Sequence, residues 1–207
     1  MNRNMDAFVP GFISGTWPGD RIDSQPGPPP LIDRAGDLVV AGGTVRWTSP
    51  AYENEGGGRS HPVPDGTYPV YAGSVPWEDE DNGPRYYVTS LFIPLAEPGP
   101  LAASSWDDGY DGGGPVFESY ACLWSERASR ATLPHWGDDR SEFLLRTEKE
   151  LLSGDALSRR GNWTDEVVDP ETGANVLAFP VYFDISMTGF EARGEDGRLV
   201  GLLFTTW

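Results

Sequence analysis

The residues that most often carry catalysis, metal binding or nucleic-acid binding are scarce in this chain of 207 residues. It has one cysteine, two histidines and one lysine. Cys122 has no second cysteine to pair with, and with His61 and His135 it falls short of the four local ligands of a structural zinc site. The chain has 15 basic and 32 acidic residues, which gives a formal net charge of −17. We therefore expect no binding to nucleic acid, since that requires clustered cations.

Long hydrophobic segments are also missing. No run of 18 apolar residues occurs, so we expect no membrane-spanning helix and no membrane partner. The segment Met1–Asp6 lacks the basic and then apolar pattern of a secretory signal. A single cysteine fits a reducing compartment. Together these features predict a cytoplasmic protein.

Turn-forming and aromatic residues are plentiful. The 26 glycines and 19 prolines make up about 22% of the chain, against roughly 12% on average. Repeated Pro-Gly pairs in residues 1–30 predict an irregular N-terminal arm. Eight Trp, eight Tyr and nine Phe supply large apolar areas for a core. We expect a single β-rich domain over residues 31–207.

Short apolar runs alternate with turn signals from about Leu31 onward. The runs predict paired strands at 37–41 and 44–48, a strand from Tyr68 that lies at a sheet edge or begins at Pro69, and further strands at 86–93, 116–124, 176–185, 190–193 and 198–204. One helix is expected near 139–153. The predicted fold is mainly β, an antiparallel sandwich or half-open barrel.

Four segments, taken in order, resemble a known family. They are the early strands closing on Ser49-Pro50, the hairpin around residues 63–70, a glycine-rich segment running from Gly109 through Asp111 to Phe117-Glu118, and the terminal hairpin around 194–202. In patches over residues 35–207, this pattern is similar to a bacterial family of domains of unknown function, the one numbered forty-two forty-one. The resemblance implies a mostly β cytosolic protein and no particular activity.

Two departures from that family concern acidic residues. The family has Gly-Asp-Gly before an aromatic residue, whereas this chain has Ser186-Met187-Thr188-Gly189-Phe190. At the end of the middle segment, Glu118 stands where the family prefers Asp one step later. If the family's acids form a site, this chain keeps only part of it.

Three acids could form a metal site. Counting from Asp107, the carboxylates of Asp107, Asp111 and Glu118 fall at positions 1, 5 and 12, with Gly112 at position 6, as in a calcium loop. Gly109 at position 3 supplies no ligand, so an EF-hand is not expected. The alternatives are a metal-dependent enzyme or binder using these acids, with calcium as the candidate ion, or an acidic turn between strands with no cofactor.

The surplus of acids beside aromatic residues is the strongest functional feature. Charged loops with aromatic anchors are typical of electrostatically steered protein interfaces. The candidate binding residues are Trp77, Glu78, Asp79, Trp106, Asp108 and Tyr110. No nucleophile elbow, phosphate loop or dinucleotide fingerprint occurs, so a catalytic role is not favoured. We expect a non-catalytic binding module, such as an immunity or regulatory partner of a basic toxin or enzyme. Solubility alone and a carbohydrate-binding module remain alternatives.

Overall fold

Two antiparallel sheets packed face to face form the body of the protein, which confirms the mainly β, sandwich-like prediction. The computed structural model describes residues 3–16, 30–50, 59–79, 83–107, 119–133, 142–182 and 188–205. The strands are β1 (Leu31–Val40), β2 (Thr44–Thr48), β3 (His61–Pro62), β4 (Gly66–Asp79), β5 (Gly83–Pro94), β6 (Ser105–Trp106), β7 (Tyr120–Ser125), β8 (Thr164–Asp169), β9 (Ala174–Pro180), β10 (Thr188–Arg193) and β11 (Leu199–Thr205). The helices are α1 (Arg3–Thr16), α2 (Pro98–Ala102), α3 (Glu126–Thr132), α4 (Glu142–Leu151) and α5 (Gly154–Leu157).

The sheets are open rather than closed into a barrel. Sheet A has six strands in the order β1-β4-β5-β11-β10-β6, and sheet B has five in the order β3-β2-β7-β9-β8. Alternate side chains of both sheets point into one shared core, which includes Leu38, Leu91, Leu123, Leu177 and Phe204. This alternation is what a half-buried strand dictates, because successive side chains leave opposite faces.

Helices cover the outer face of each sheet. Met5, Val9 and Ile13 recur every four residues along α1 and pack on the outer face of sheet A. The prediction of an irregular arm is therefore wrong for Arg3–Thr16: this apolar periodicity forms a helix even though Pro10 lies inside it. Residues 17–29 lie outside the described part of the chain. On sheet B, residues of α3 and α4 pack over β7 and β9.

Two details of strand pairing differ from the sequence prediction. β1 and β2 do not pair with each other: β1 pairs with β4 in sheet A, and β2 pairs with β7 in sheet B. Gly42 and Gly43 both have positive φ, and they carry the chain from one sheet to the other. β4 is not an edge strand and begins before Pro69, at Gly66. Pro69 is tolerated because only β1 flanks β4 at this level; pairing with β5 starts at Tyr71.

Other predicted elements are present with different bounds: the strand expected at 176–185 is β9, which ends at Pro180, and the strand expected at 116–124 is β7, with residues 116–118 outside the described part. The helix expected near 139–153 is α4, although it ends before Gly154, which begins the separate short helix α5. The terminal hairpin is β10–β11, paired from Thr188↔Thr205 to Arg193↔Leu199. The remaining helices were not predicted. Among the described residues, no helix has the length and apolar character needed to span a membrane.

A buried side chain joins the two sheets along β1. Asn175 of β9 accepts a hydrogen bond from the Val39 N–H at 2.8 Å through Oδ1. Its Nδ2 donates to the Asp37 carbonyl at 2.8 Å and to Asp165 Oδ1 at 2.6 Å. The amide thus pairs with the backbone of β1 on the side away from β4, where an edge strand would otherwise present unpaired groups.

Candidate functional site

The β4–β5 hairpin extends beyond its neighbours in sheet A. β1 pairs with β4 only as far as Ser74, and β11 pairs with β5 only from Ser90 onward. β4 and β5 continue to pair with each other out to Asp79↔Gly83. Residues 75–79 and 83–87 therefore form a two-stranded extension, called here the projecting hairpin. No other described strand pairs with it.

An exposed group of aromatic rings lies on the projecting hairpin. Trp77 is 53% exposed and Tyr182 is 38% exposed. Their ring centroids are 4.8 Å apart with an interplanar angle of 38°. Tyr87 meets Tyr182 edge-on, with centroids 5.5 Å apart. We call Trp77, Tyr87 and Tyr182 the aromatic patch.

The aromatic patch is held by both sheets. Trp77 and Tyr87 belong to sheet A, whereas Tyr182 lies two residues after Pro180, the end of β9 in sheet B. The preceding residue, Val181, is fully buried in the shared core, and its N–H donates to the Ser119 carbonyl at 3.0 Å. Anchoring on two sides restricts the motion of these rings, and such preorganisation in general lowers the entropy that a surface loses on binding.

Acidic residues adjoin the aromatic patch. Glu78 is exposed, and Asp79 is the last residue of β4. In the sequence they open the run Glu78-Asp79-Glu80-Asp81, whose last two residues lie outside the described part. Between residues 75 and 87 the chain has four acids and one cation, Arg85. The sequence of this hairpin is therefore net acidic, although Arg85 pairs with Trp77 across the strands and Glu78, the next residue in β4, points to the opposite face of the hairpin.

The other predicted partner-binding residues do not join this patch. Trp106 is half-buried and packs against Phe12 of α1 and Phe92 of β5, with centroids 6.1 and 6.2 Å away. It belongs to the cluster that seats α1 on sheet A. Asp108 and Tyr110 lie outside the described residues. Of the predicted partner-binding residues, the structure therefore shows Trp77 and Glu78 exposed and next to each other in β4.

Asp107, the first predicted metal ligand, has a structural partner. Its Oδ1 accepts from the Glu191 N–H at 3.0 Å, and its own N–H donates to the Glu191 carbonyl at 3.1 Å. The residue thus continues the β6–β10 pairing. Asp111 and Glu118 lie outside the described residues, which contain no group of three or more His, Cys, Asp or Glu side chains able to share a metal ion. Calcium binding stays a prediction.

A buried histidine–glutamate pair, which no sequence pattern predicted, lies between the sheets. His61 of β3 is 0% exposed and Glu191 of β10 is 2% exposed. Nδ1 of His61 is 2.9 Å from Oε1 of Glu191, and the imidazole donates because a carboxylate only accepts. Arg193 donates to the other carboxylate oxygen, and an Arg59 nitrogen lies 3.5 Å from Oε1. Glu191 could have been singled out, since it is the one acid in the strand Phe190-Glu191-Ala192.

The surroundings of this pair lower both pKa values. Burial lowers the pKa of His61 and outweighs the opposing effect of Glu191. Burial opposes ionisation of Glu191, but hydrogen bonds from His61 and Arg193, with the charge of Arg59, hold its pKa below the usual value. The pair is closed to solvent and serves as an internal tie between the sheets. Cys122 is fully buried and packs as a small apolar side chain.

A cleft of about 440 Å³ lies between the start of α1 and strands β1 and β4. Its polar groups pair with one another: the Tyr71 hydroxyl donates to Asp6 Oδ1 at 2.7 Å, and Arg34 meets Asp37 at 2.5 Å. Burial and the Asp6 carboxylate raise the pKa of Tyr71, so this hydroxyl stays protonated. Because the Tyr71–Asp6 hydrogen bond joins β4 to α1, the cleft is part of the contact between α1 and sheet A.

No protein-family model matches the chain, and neither the curated proteins nor the solved structures give a match. The family resemblance therefore stays a prediction.

Proposed function

We propose that the protein is a cytosolic, non-catalytic binding module that uses the aromatic patch and the adjoining acids to hold a basic protein. An immunity or regulatory partner of a basic toxin or enzyme fits this description. The observation that carries the proposal is Trp77, more than half exposed and in tilted ring contact with Tyr182, on a hairpin whose sequence has a net negative charge.

The two kinds of side chain would contribute differently. Trp and Tyr are enriched among the few interface residues that dominate binding energy, because they bury a large area with few rotatable bonds. The acids would mainly speed encounter with a positively charged partner, an effect strengthened by the overall charge of −17. Affinity would therefore depend on Trp77, and the association rate on ionic strength.

A carbohydrate-binding module is the second candidate, and the same Trp77 ring favours it. An exposed indole can stack on the apolar face of a sugar. Such a contact is neutral, so raising the salt concentration from 50 to 500 mM would leave sugar binding almost unchanged, whereas it would screen attraction to a basic protein.

The test is titration of purified candidate partners, beginning with the basic products of adjacent genes, against wild type and two variants. Trp77→Ala should weaken binding by tenfold or more, the size of effect expected of an interface anchor. The matched control is Val167→Ala, which trims another exposed apolar residue on β8. Equal affinity of Trp77→Ala and wild type, or affinity indifferent to salt, would contradict the proposal.

A further inference from the structure

We infer that β3 is an acid-sensitive latch: protonation of His61 detaches this edge strand from the body of the protein while the two sheets stay folded. The inference is independent of the aromatic patch. It starts from the small amount of backbone pairing that holds β3. Among the described strands, β2 alone pairs with it, through Thr44↔Pro62 and Val45↔His61. A short edge strand with so few pairs opens at a lower free energy than the centre of a sheet.

The side chain of His61 ties β3 to the opposite sheet. It is fully buried, and its Nδ1 donates to Oε1 of Glu191 in β10 at 2.9 Å. Its ring meets the ring of Phe204 in β11 edge-on, with centroids 5.2 Å apart. Arg46 of β2 is engaged one residue earlier in the chain, where it donates to the Ser60 hydroxyl. The position of β3 therefore depends strongly on whether the imidazole stays in the buried space between the sheets.

The charged groups that act on His61 cancel one another while the imidazole is neutral. They come from the residue two positions ahead of β3, from β10 and from the residue after β6, and they are Arg59, Glu191, Arg193 and Asp107. Glu191 accepts a hydrogen bond from Arg193, and an Arg59 nitrogen lies 3.5 Å from its Oε1. Two guanidinium groups and two carboxylates give a balance of zero. The cluster is therefore complete without a charge on His61.

Protonation of His61 upsets this balance. Nδ1 already donates to Glu191, so an added proton goes to Nε2, on the other side of the ring. The proton adds a charge without adding a hydrogen bond to Glu191, and the cluster becomes net positive. Burial disfavours that charge and lowers the pKa of His61. Because β3 has so few backbone pairs, moving it outward hydrates the imidazolium at less cost than unfolding the sheets, and it uncovers the backbone edge of β2.

Native-state hydrogen exchange of the full chain at pH 7.5 and 5.5 tests the latch. The reporter is the Val63 N–H, which donates to the Gly43 carbonyl at 3.0 Å, and the reference is the Leu177 N–H of β9, which lies between β7 and β8. Protection is the exchange rate of an unstructured chain at the same pH divided by the measured rate. Since the opened imidazole has a pKa of about 6.5, the protection of Val63 should fall about five- to tenfold on acidification. Urea below the unfolding transition should leave it unchanged, because a local opening exposes little surface, whereas it should lower the protection of Leu177.

Two variants test the part played by charge. In His61→Phe, which cannot titrate, the protection of Val63 should be the same at both pH values, whereas the matched control His135→Gln should respond to acid as wild type does. Arg59→Gln removes one positive charge from the cluster, so its loss of protection should be smaller than that of wild type. An equal acid response in wild type and either His61→Phe or Arg59→Gln would overturn the inference. Val63 protection that falls with urea as steeply as that of Leu177 would also overturn it, because acid would then act on the whole fold and not on β3.

Discussion

His61 and Glu191 lie 130 positions apart in the chain and meet at 2.9 Å in the buried space between the two sheets. The contact joins β3, an edge strand of sheet B, to β10 of sheet A. The same carboxylate accepts a hydrogen bond from Arg193, so its buried charge is compensated from both sides. A pair of this kind couples stability to pH, because each partner has a shifted pKa.

The His61–Glu191 pair should make the fold less stable in acid. The pKa of His61 is lowered in the folded protein, so on acidification the unfolded chain takes up a proton near pH 6.5 before the folded chain does. The contribution is fully present above that pH and is lost as the pH falls through it, at no more than about 1.4 kcal/mol per pH unit. Glu191, whose pKa is also lowered, adds a loss in the same direction at lower pH.

The measurement is urea denaturation of wild type and His61→Phe at pH 7.5 and 5.5. Phe can keep the edge-on contact with Phe204, at 5.2 Å, but it cannot titrate. Its free energy of unfolding should fall less between the two pH values than that of wild type. His135→Gln, which changes the only other imidazole, serves as the control. The same pH dependence in His61→Phe and wild type would show that His61 does not titrate as described.

Asn175 should be one of the most sensitive polar residues in the molecule. Asn175→Ala removes the partners of the Val39 N–H and the Asp37 carbonyl, and each buried group left unpaired costs about 1–3 kcal/mol. Asn162→Ala, which removes a single bond to the Leu151 carbonyl, should cost about 1 kcal/mol. Chemical denaturation of both variants would compare them. A smaller loss in Asn175→Ala than in Asn162→Ala would argue against this side chain as the link to β1.

Helix α1 should unfold together with the sheets rather than independently. Ile13 is 1% exposed against sheet A, so Ile13→Ala should lower the free energy of unfolding by about 2–4 kcal/mol. Ser14→Ala, one residue further along the exposed side, should change it little. Thermal unfolding of the Ile13→Ala and Ser14→Ala variants, monitored by circular dichroism, compares their stability. An Ile13→Ala protein as stable as wild type would show that α1 is not part of the core.

Gly73 of β4 should not tolerate a side chain. A Cβ atom there would lie 2.2 Å from Ser90 Oγ and 2.9 Å from Pro30 Cβ. Gly73→Ala should therefore destabilise the fold, typically by about 1–3 kcal/mol, and Ser90→Ala in the same chain should restore part of the loss. Gly11→Ala in α1 meets no atom within 4 Å and should be neutral or slightly stabilising. Thermal melts of the variants test this, and a neutral Gly73→Ala would contradict the close packing of β4 on β5.

Local sequence patterns predicted individual strands well and their partners less well. Residues 86–93 and the terminal hairpin carry clear β-branched, aromatic and turn signals, and they form β5 and β10–β11. Nothing local distinguishes a tight hairpin at Gly42-Gly43 from a crossover between sheets, because that choice depends on β4 and β7 taking the neighbouring positions. The Pro and Gly residues of α1 favoured an irregular segment in the prediction. In the folded protein, the four-residue spacing of Met5, Val9 and Ile13 decides the structure, because these side chains pack against sheet A as a helix.

The candidate site was predicted in part for a similar reason. Trp77 and Glu78 are adjacent in sequence, so their association with an acidic turn was visible. Tyr182 reaches Trp77 only through the packing of sheet B on sheet A, and the same packing buries His61 against Glu191. Contacts of this kind depend on the register of both sheets, which periodicity alone does not provide.

The most direct test of binding at the aromatic patch is the NMR spectrum of the tryptophan indole N–H groups during titration with a basic partner protein. The chain has eight tryptophans, and comparison with Trp77→Phe assigns the Trp77 signal. We expect the Trp77 resonance to shift first and furthest, while the buried Trp47 and Trp124 stay in place. A Trp77 signal that does not move while the partner protein binds would contradict binding at the aromatic patch.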